Sequence, residues 1–160
     1  MKTLPEQYFF RYAWPCTEVI LQKNKITKER FEQLKKAAES GETPSRDVLE
    51  DTYKTAFENL RKIAKNRGKD YFDIDVINEY FELGGHNDFI NSGGGEFGHA
   101  PESMKDICRI IYGTVMDIKD DIIKVSYKNN VRMCRNIYKL KLRKGDTVRI
   151  HYGYVVDKIK

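Results

Sequence analysis

Apolar positions recur at helical spacing through the first half of the chain and at every second residue through its last third, which predicts helices followed by strands. EQYFFRYAW and CTEVILQK read as two helical pieces interrupted at Pro15, whose ring nitrogen has no proton to donate. In TKERFEQLKKAAESG, Thr27 is a capping residue, Phe31, Leu34 and Ala38 share a face, and Gly41 is the stop. A longer helix is predicted with Thr43 as cap and Pro44 in its first turn. Its stripe runs through Val48, Leu49, Tyr53, Ala56, Phe57, Leu60, Ile63 and Ala64 to Gly68. A short one, VINEYFEL, follows Asp73 or Asp75 and ends at Gly84. After Pro101 the period becomes two. RIIYGTVMDIK, DIIKVSYKN, VRMCRNIYKL and DTVRIHYGYVVDKI are rich in Val, Ile, Tyr and Thr and are divided by polar turns, so four or five short strands are expected. A sheet that small protects its edges best by closing on itself, and the expected fold is α+β: a small helical unit followed by a small OB-like β-barrel.

Between these halves lies GGHNDFINSGGGEFGHAP, which holds six of the eleven glycines and is expected to lack regular structure. The predicted organisation is a helical domain over 1–83, a glycine-rich acidic loop over 84–104 and a barrel domain over 105–160. Charge divides in the same way. Residues 1–104 carry 15 Lys and Arg against 18 Asp and Glu, whereas residues 105–160 carry 14 against 6. From Asp70 to Met104 there is no Lys or Arg, so acidic loop and basic barrel are candidates for mutual attraction within or between chains, which would favour a dimer.

At 160 residues and 40% hydrophobic the chain needs no disulfide to form a core, and Cys16, Cys108 and Cys134 are scattered and odd in number, which predicts reduced thiols. No stretch has the length of a membrane span and the N-terminal segment lacks a signal peptide's apolar core, so a cytoplasmic protein without membrane partners is expected. Phosphate-loop, nucleophile-elbow, zincin and dinucleotide-binding motifs are absent, which leaves a conventional enzyme as the least supported class.

One pair of motifs is more specific. The last third opens Cys108-Arg-Ile-Ile-Tyr-Gly113-Thr-Val115 and closes Gly145-Asp146-Thr-Val148-Arg-Ile-His151-Tyr-Gly153-Tyr154-Val-Val. In order and internal spacing this resembles the HypC/HupF-type hydrogenase maturation chaperones, small β-barrel proteins that begin Met-Cys-Leu-Ala-Ile-Pro-Gly-x-Val and end Gly-Asp-x-Val-x-Val-His-x-Gly-Phe-Ala. The resemblance covers about the last third and implies a HypC-like barrel in an accessory or maturation protein that binds a client or partner protein and hands on a metal fragment. It implies roles for Cys108, Gly113, His151, Gly153 and Tyr154 as partner-binding positions. Cys108 is internal here, so its amine is a peptide nitrogen and any metal would need its thiolate with other ligands. Tyr112 replaces the family's proline, and Tyr154 its phenylalanine.

Lys105 and Arg109 are near enough in sequence to favour a Cys108 thiolate, and a Cys108/His151 nucleophile–base pair is open to it. Cys134 reads as strand core, and Cys16 as helix core with nothing nearby to activate it. His86 and His99 flank the glycine-rich run, and with Cys108 and His151 they form the candidate ligand set for iron or zinc. His151 reads as a mid-strand residue facing away from Ile150 and Tyr152, and Gly153 as a bulge or close approach. The alternative is an OB-like module for RNA or single-stranded DNA. Lys139, Lys141, Arg143, Lys144 and Arg149 would meet phosphates, and Tyr112, Tyr127, Tyr138, Tyr152 and Tyr154 would stack on bases.

Overall fold

A computed structural model describes residues 4–93 and 101–159. The chain starts with α1 (Pro5–Ala13), a 3-10 turn (Trp14–Cys16) and α2 (Thr17–Gln22), the predicted break at Pro15. Pro15 has no N–H to close the helical bond on Arg11, and the Tyr138 hydroxyl donates to the Arg11 carbonyl instead at 2.8 Å. Helix α3 (Lys28–Ser40) is capped as expected, its Thr27 Oγ1 accepting from the Arg30 amide at 3.1 Å.

The long helix predicted next is two. Ser45, not Thr43, caps α4 (Arg46–Thr52), and the stripe is broken at Tyr53 before α5 (Lys54–Arg67). Thr52 Oγ1 donates back to the Val48 carbonyl at 2.7 Å, a bond that bends helices. Tyr53 leaves helical geometry and turns its ring into the core, its hydroxyl 2.7 Å from Thr17 Oγ1. Helix α6 (Ile74–Phe81) follows Asp73, whose side chain accepts from the Asp75 amide.

The stretch expected to be loop contains regular structure. Residues Gly85–Asn91 form α7, and Glu102–Cys108 form α8. Glycine aids the first of these instead of forbidding it: a Cβ at Gly85 would lie 3.1 Å from the Tyr80 Cα and 3.3 Å from the Glu79 carbonyl, so its absence lets α7 approach the α6 backbone. His86 and Ile90 then provide a buried face. The expectation placed on His99 falls outside the described residues.

Five strands follow: β1 (Ile110–Lys119), β2 (Ile122–Tyr127), β3 (Asn130–Arg135), β4 (Thr147–His151) and β5 (Tyr154–Lys158). They close into a barrel in the order β1-β2-β3-β5-β4, antiparallel except where β3 meets β5 at Arg135 and Tyr154. The fold is therefore α+β, with an OB-like barrel after a helical region. Strand β3 stops earlier than predicted. The Asn136 side chain bonds both to the Leu140 amide and to its carbonyl, making a loop that sends Ile137 and Tyr138 into the helical core.

Two clusters hold the molecule together. Ile111, Val115, Ile123, Val125, Cys134, Val148, Ile150 and Val155 fill the barrel. A larger aromatic cluster around Phe9, Tyr12, Phe57, Phe72 and Phe81 joins the helices and takes in Ile110 and Val156 from the barrel's outer wall. Strands β1, β4 and β5 are thus buried on both faces where helices cover them, and His151 lies in that seam. No helix among the described residues is long and apolar enough to cross a membrane.

Gly113 is fixed by packing between β1 and β2. A Cβ there would collide with the Val125 side chain and lie 2.9 Å from the Ser126 carbonyl oxygen. Gly113→Ala is expected to cost about 1–3 kcal/mol in urea denaturation. Unchanged stability would show that the strands separate freely at this point.

Candidate metal centre

The 3-10 turn, the end of β4 and the first turn of α7 meet where the barrel abuts the helices. They bring together Cys16, His151 and His86, one potential ligand atom from each lying within 4.8 Å of the others.

His151 is the last residue of β4, opposite Ile110 of β1. Ile150 points into the barrel, so the two-residue period turns His151 outward into the helical layer, where it is fully buried. Its Nδ1 is 2.8 Å from the Tyr12 carbonyl, in the last turn of α1. A carbonyl only accepts, so Nδ1 carries the proton and Nε2 presents a lone pair. That Nε2 is 2.7 Å from Cys16 Sγ.

His86 is buried on α7, edge-on to the rings of Tyr80 at 5.6 Å and His151 at 5.0 Å between centroids. Its Nδ1 is 3.3 Å from Asn87 Oδ1. Asn87 is itself clamped on β1, accepting from the Ile110 amide at 2.8 Å and donating to the Ile110 carbonyl at 2.7 Å. Asn87 thereby engages His86 through Nδ1 and fixes the plane of the ring. An oriented imidazole with one nitrogen tied to a carbonyl or amide oxygen is the usual outer support of a metal-ligating histidine.

Burial sets the protonation states. It depresses His86 to about 4, and depresses His151 to about 3 with a further push from the neighbouring His86. Both rings are neutral near pH 7, the form that binds metals. The Cys16 thiol is raised, first by burial and then by Cys108, so it keeps its proton until a cation displaces it.

Cys16 is thus the residue that sequence reasoning misplaced as inert core. It is half-buried and its histidine neighbour is 135 positions away. The Trp14-Pro15-Cys16 turn was its one local signal, since Pro15 ends a helix and frees carbonyls there. Cys108, the expected thiolate, ends α8, is buried and is outside the three-donor group. Its pKa is raised because burial outweighs the opposing charges of Lys23 and Arg132. Arg109 is engaged elsewhere, 2.7 Å from Glu102 and bonded to Asn91 Oδ1. Cys108 nevertheless borders the same cavity as Cys16 and His86, and its backbone faces the His151 ring. Cys134 is barrel core, as expected.

The other implied positions have structural places. Gly153 sits in the β4–β5 turn with open space around it, accepting from the Arg135 amide, and not in a bulge. Tyr154 is half-buried against the helical core. Of the proposed phosphate contacts, Arg149 is withdrawn from solvent. It pairs with Glu82 at 3.1 Å and bonds to Tyr12 and Tyr112, with a side chain only 14% exposed. Lys144 pairs with Asp117.

Fold and site together define an α+β barrel protein with a Cys/His/His group suited to a metal ion in the seam between helices and barrel. No protein-family model matches the chain, and no curated protein matches it.

Proposed function

We propose that this protein is a metal-handling accessory factor that holds iron or zinc through Cys16, His86 and His151 and serves a client protein. One soft thiolate and two imidazoles are donors for zinc, iron and their neighbours in the first transition row, and suit magnesium or calcium poorly. The observation that carries the reading is the convergence of one ligand atom each from Cys16, His86 and His151 within 4.8 Å of one another, both histidines being buried. The maturation role follows from the resemblance of the barrel motifs to HypC/HupF-type chaperones, with His151 kept in the ligand set and Cys16 taking the place that the resemblance assigns to Cys108. The nucleic-acid alternative is weakened by the burial and pairing of Arg149.

Anaerobic titration with Co(II) tests the site. Wild type and Cys108→Ala should both develop a near-ultraviolet thiolate–cobalt band. Cys16→Ala should lose it, and His86→Ala should bind more than tenfold more weakly, with circular dichroism confirming that each variant folds. A band that survives Cys16→Ala, or vanishes with Cys108→Ala, would overturn the assignment.

A further inference from the structure

A cavity of about 340 Å³ opens beside the three donors. Cys16 and His86 border it, whereas His151 is not in its wall and stands behind them on the barrel side. The rest of the wall is largely apolar, with Val19, Ile20, Tyr80, Phe89 and Ile90 contributing. The charged residues along its lining are Lys23, Lys25, Glu58 and Lys54, the last paired with Asp51 at 4.0 Å.

Three protein donors do not complete a tetrahedral shell, and sites built in this way leave one position for an outside ligand. With His151 at the back and the other two donors on the cavity wall, the remaining position of a bound cation points into the cavity. Charge then restricts the ligand. A divalent cation with one thiolate and two neutral imidazoles keeps a net charge of about +1 in a desolvated seam, where an uncompensated charge is costly. We infer that the cavity takes a small monoanionic ligand whose head, a thiolate, carboxylate or hydroxamate, completes the metal shell and whose apolar tail lies against Ile20, Phe89 and Ile90. This rests on the metal reading above. The volume is at the small end of ligand pockets, which limits the tail to about the size of one ring.

The test uses the full chain loaded with Co(II) and two probes that share a head and differ in tail, benzohydroxamate and acetohydroxamate. Both should shift the visible cobalt bands while the Cys16 thiolate band persists. The aromatic probe should do so at a concentration at least tenfold lower, because its ring leaves water for the cavity wall. Ala56→Trp, which fills the cavity from α5, should abolish that difference without weakening Co(II) binding. Val19→Phe does the same from α2 should the first variant fail to fold. If wild type shows no thiolate–cobalt band, the metal reading itself fails and the inference with it. If the band forms but neither probe shifts the visible spectrum, both probes act equally, or the probe strips the band, the metal reading stands and the cavity ligand is overturned. Tail selectivity that survives both cavity-filling variants overturns it as well.

Discussion

Acidifying the metal-free protein from pH 7 to pH 4 is expected to remove several kcal/mol of folding stability, in large part through two histidines. In the unfolded chain each titrates near pH 6.5. In the fold burial holds His86 at about 4 and His151 at about 3. Between those values the unfolded state binds protons that the native state refuses, so stability is fully present above pH 6.5. It falls as the pH drops, through about 4 for His86 and about 3 for His151. For His86 alone the difference is worth about 3 kcal/mol. The groups facing the two rings are the Cys16 thiol, the Tyr12 carbonyl, the Cys108 backbone and the Asn87 amide, with Arg132 adding positive charge, and no carboxylate among the groups acting on them favours protonation. Urea denaturation across this range should therefore show a steep slope. His86→Gln should reduce it by about 1.4 kcal/mol per pH unit between pH 6 and pH 4.5, one proton fewer. An unchanged slope would mean that His86 is protonated in the native state.

Arg149→Met should destabilise the protein by about 2–3 kcal/mol, between the cost of breaking a solvent-screened pair and that of a fully buried one, because it leaves the half-buried carboxylates of Glu82 and Asp157 without their cation. Arg149 reaches from β4 to Glu82 at the end of α6, to the Tyr12 hydroxyl of α1 and to Tyr112 of β1. The Tyr12 hydroxyl also lies 2.9 Å from Glu82 Oε1 and 3.0 Å from Asp157 Oδ2. Four elements of the helical region and barrel are tied at this one guanidinium. Removing it sets Glu82 and Asp157 against each other around a shared hydroxyl, with Arg11 left near Asp157 at 3.7 Å. Glu82→Gln in the Arg149→Met background should recover part of the loss, since it removes one of the two stranded charges. A loss below 1 kcal/mol would show the network to be as solvent-screened as an ordinary surface pair.

Local patterning was sufficient for much of the architecture. Thr27, Asp73 and Gly68 mark helix ends because a cap acts within a few residues of itself, and Pro15 breaks a helix wherever it is placed. The change of period after Pro101 determined that strands follow, and the shortness of those strands pointed to a closed sheet. The same local logic failed where a neighbour distant in sequence decided the outcome. Gly85 reads as a helix breaker by itself, but the α6 backbone beside it rewards the absence of a side chain. Tyr53 looks like one more position in a stripe until its hydroxyl finds Thr17.

The candidate site divides along the same line. His86 and His151 could be singled out from the chain as potential ligands, since imidazole titrates and coordinates wherever it sits. Which cysteine joins them could not, because Cys108 is close to a barrel motif in sequence whereas Cys16 is close to His151 only in space. Residue type and period determined the elements, the barrel and the list of candidate ligands. Only the packing of helix ends against the outer wall of the barrel decided that Cys16 is the thiol, that His151 is neutral with Nε2 facing Cys16, and that Arg149 is a structural cation. Those properties depend on burial and on partners from other elements, which come into being with the fold.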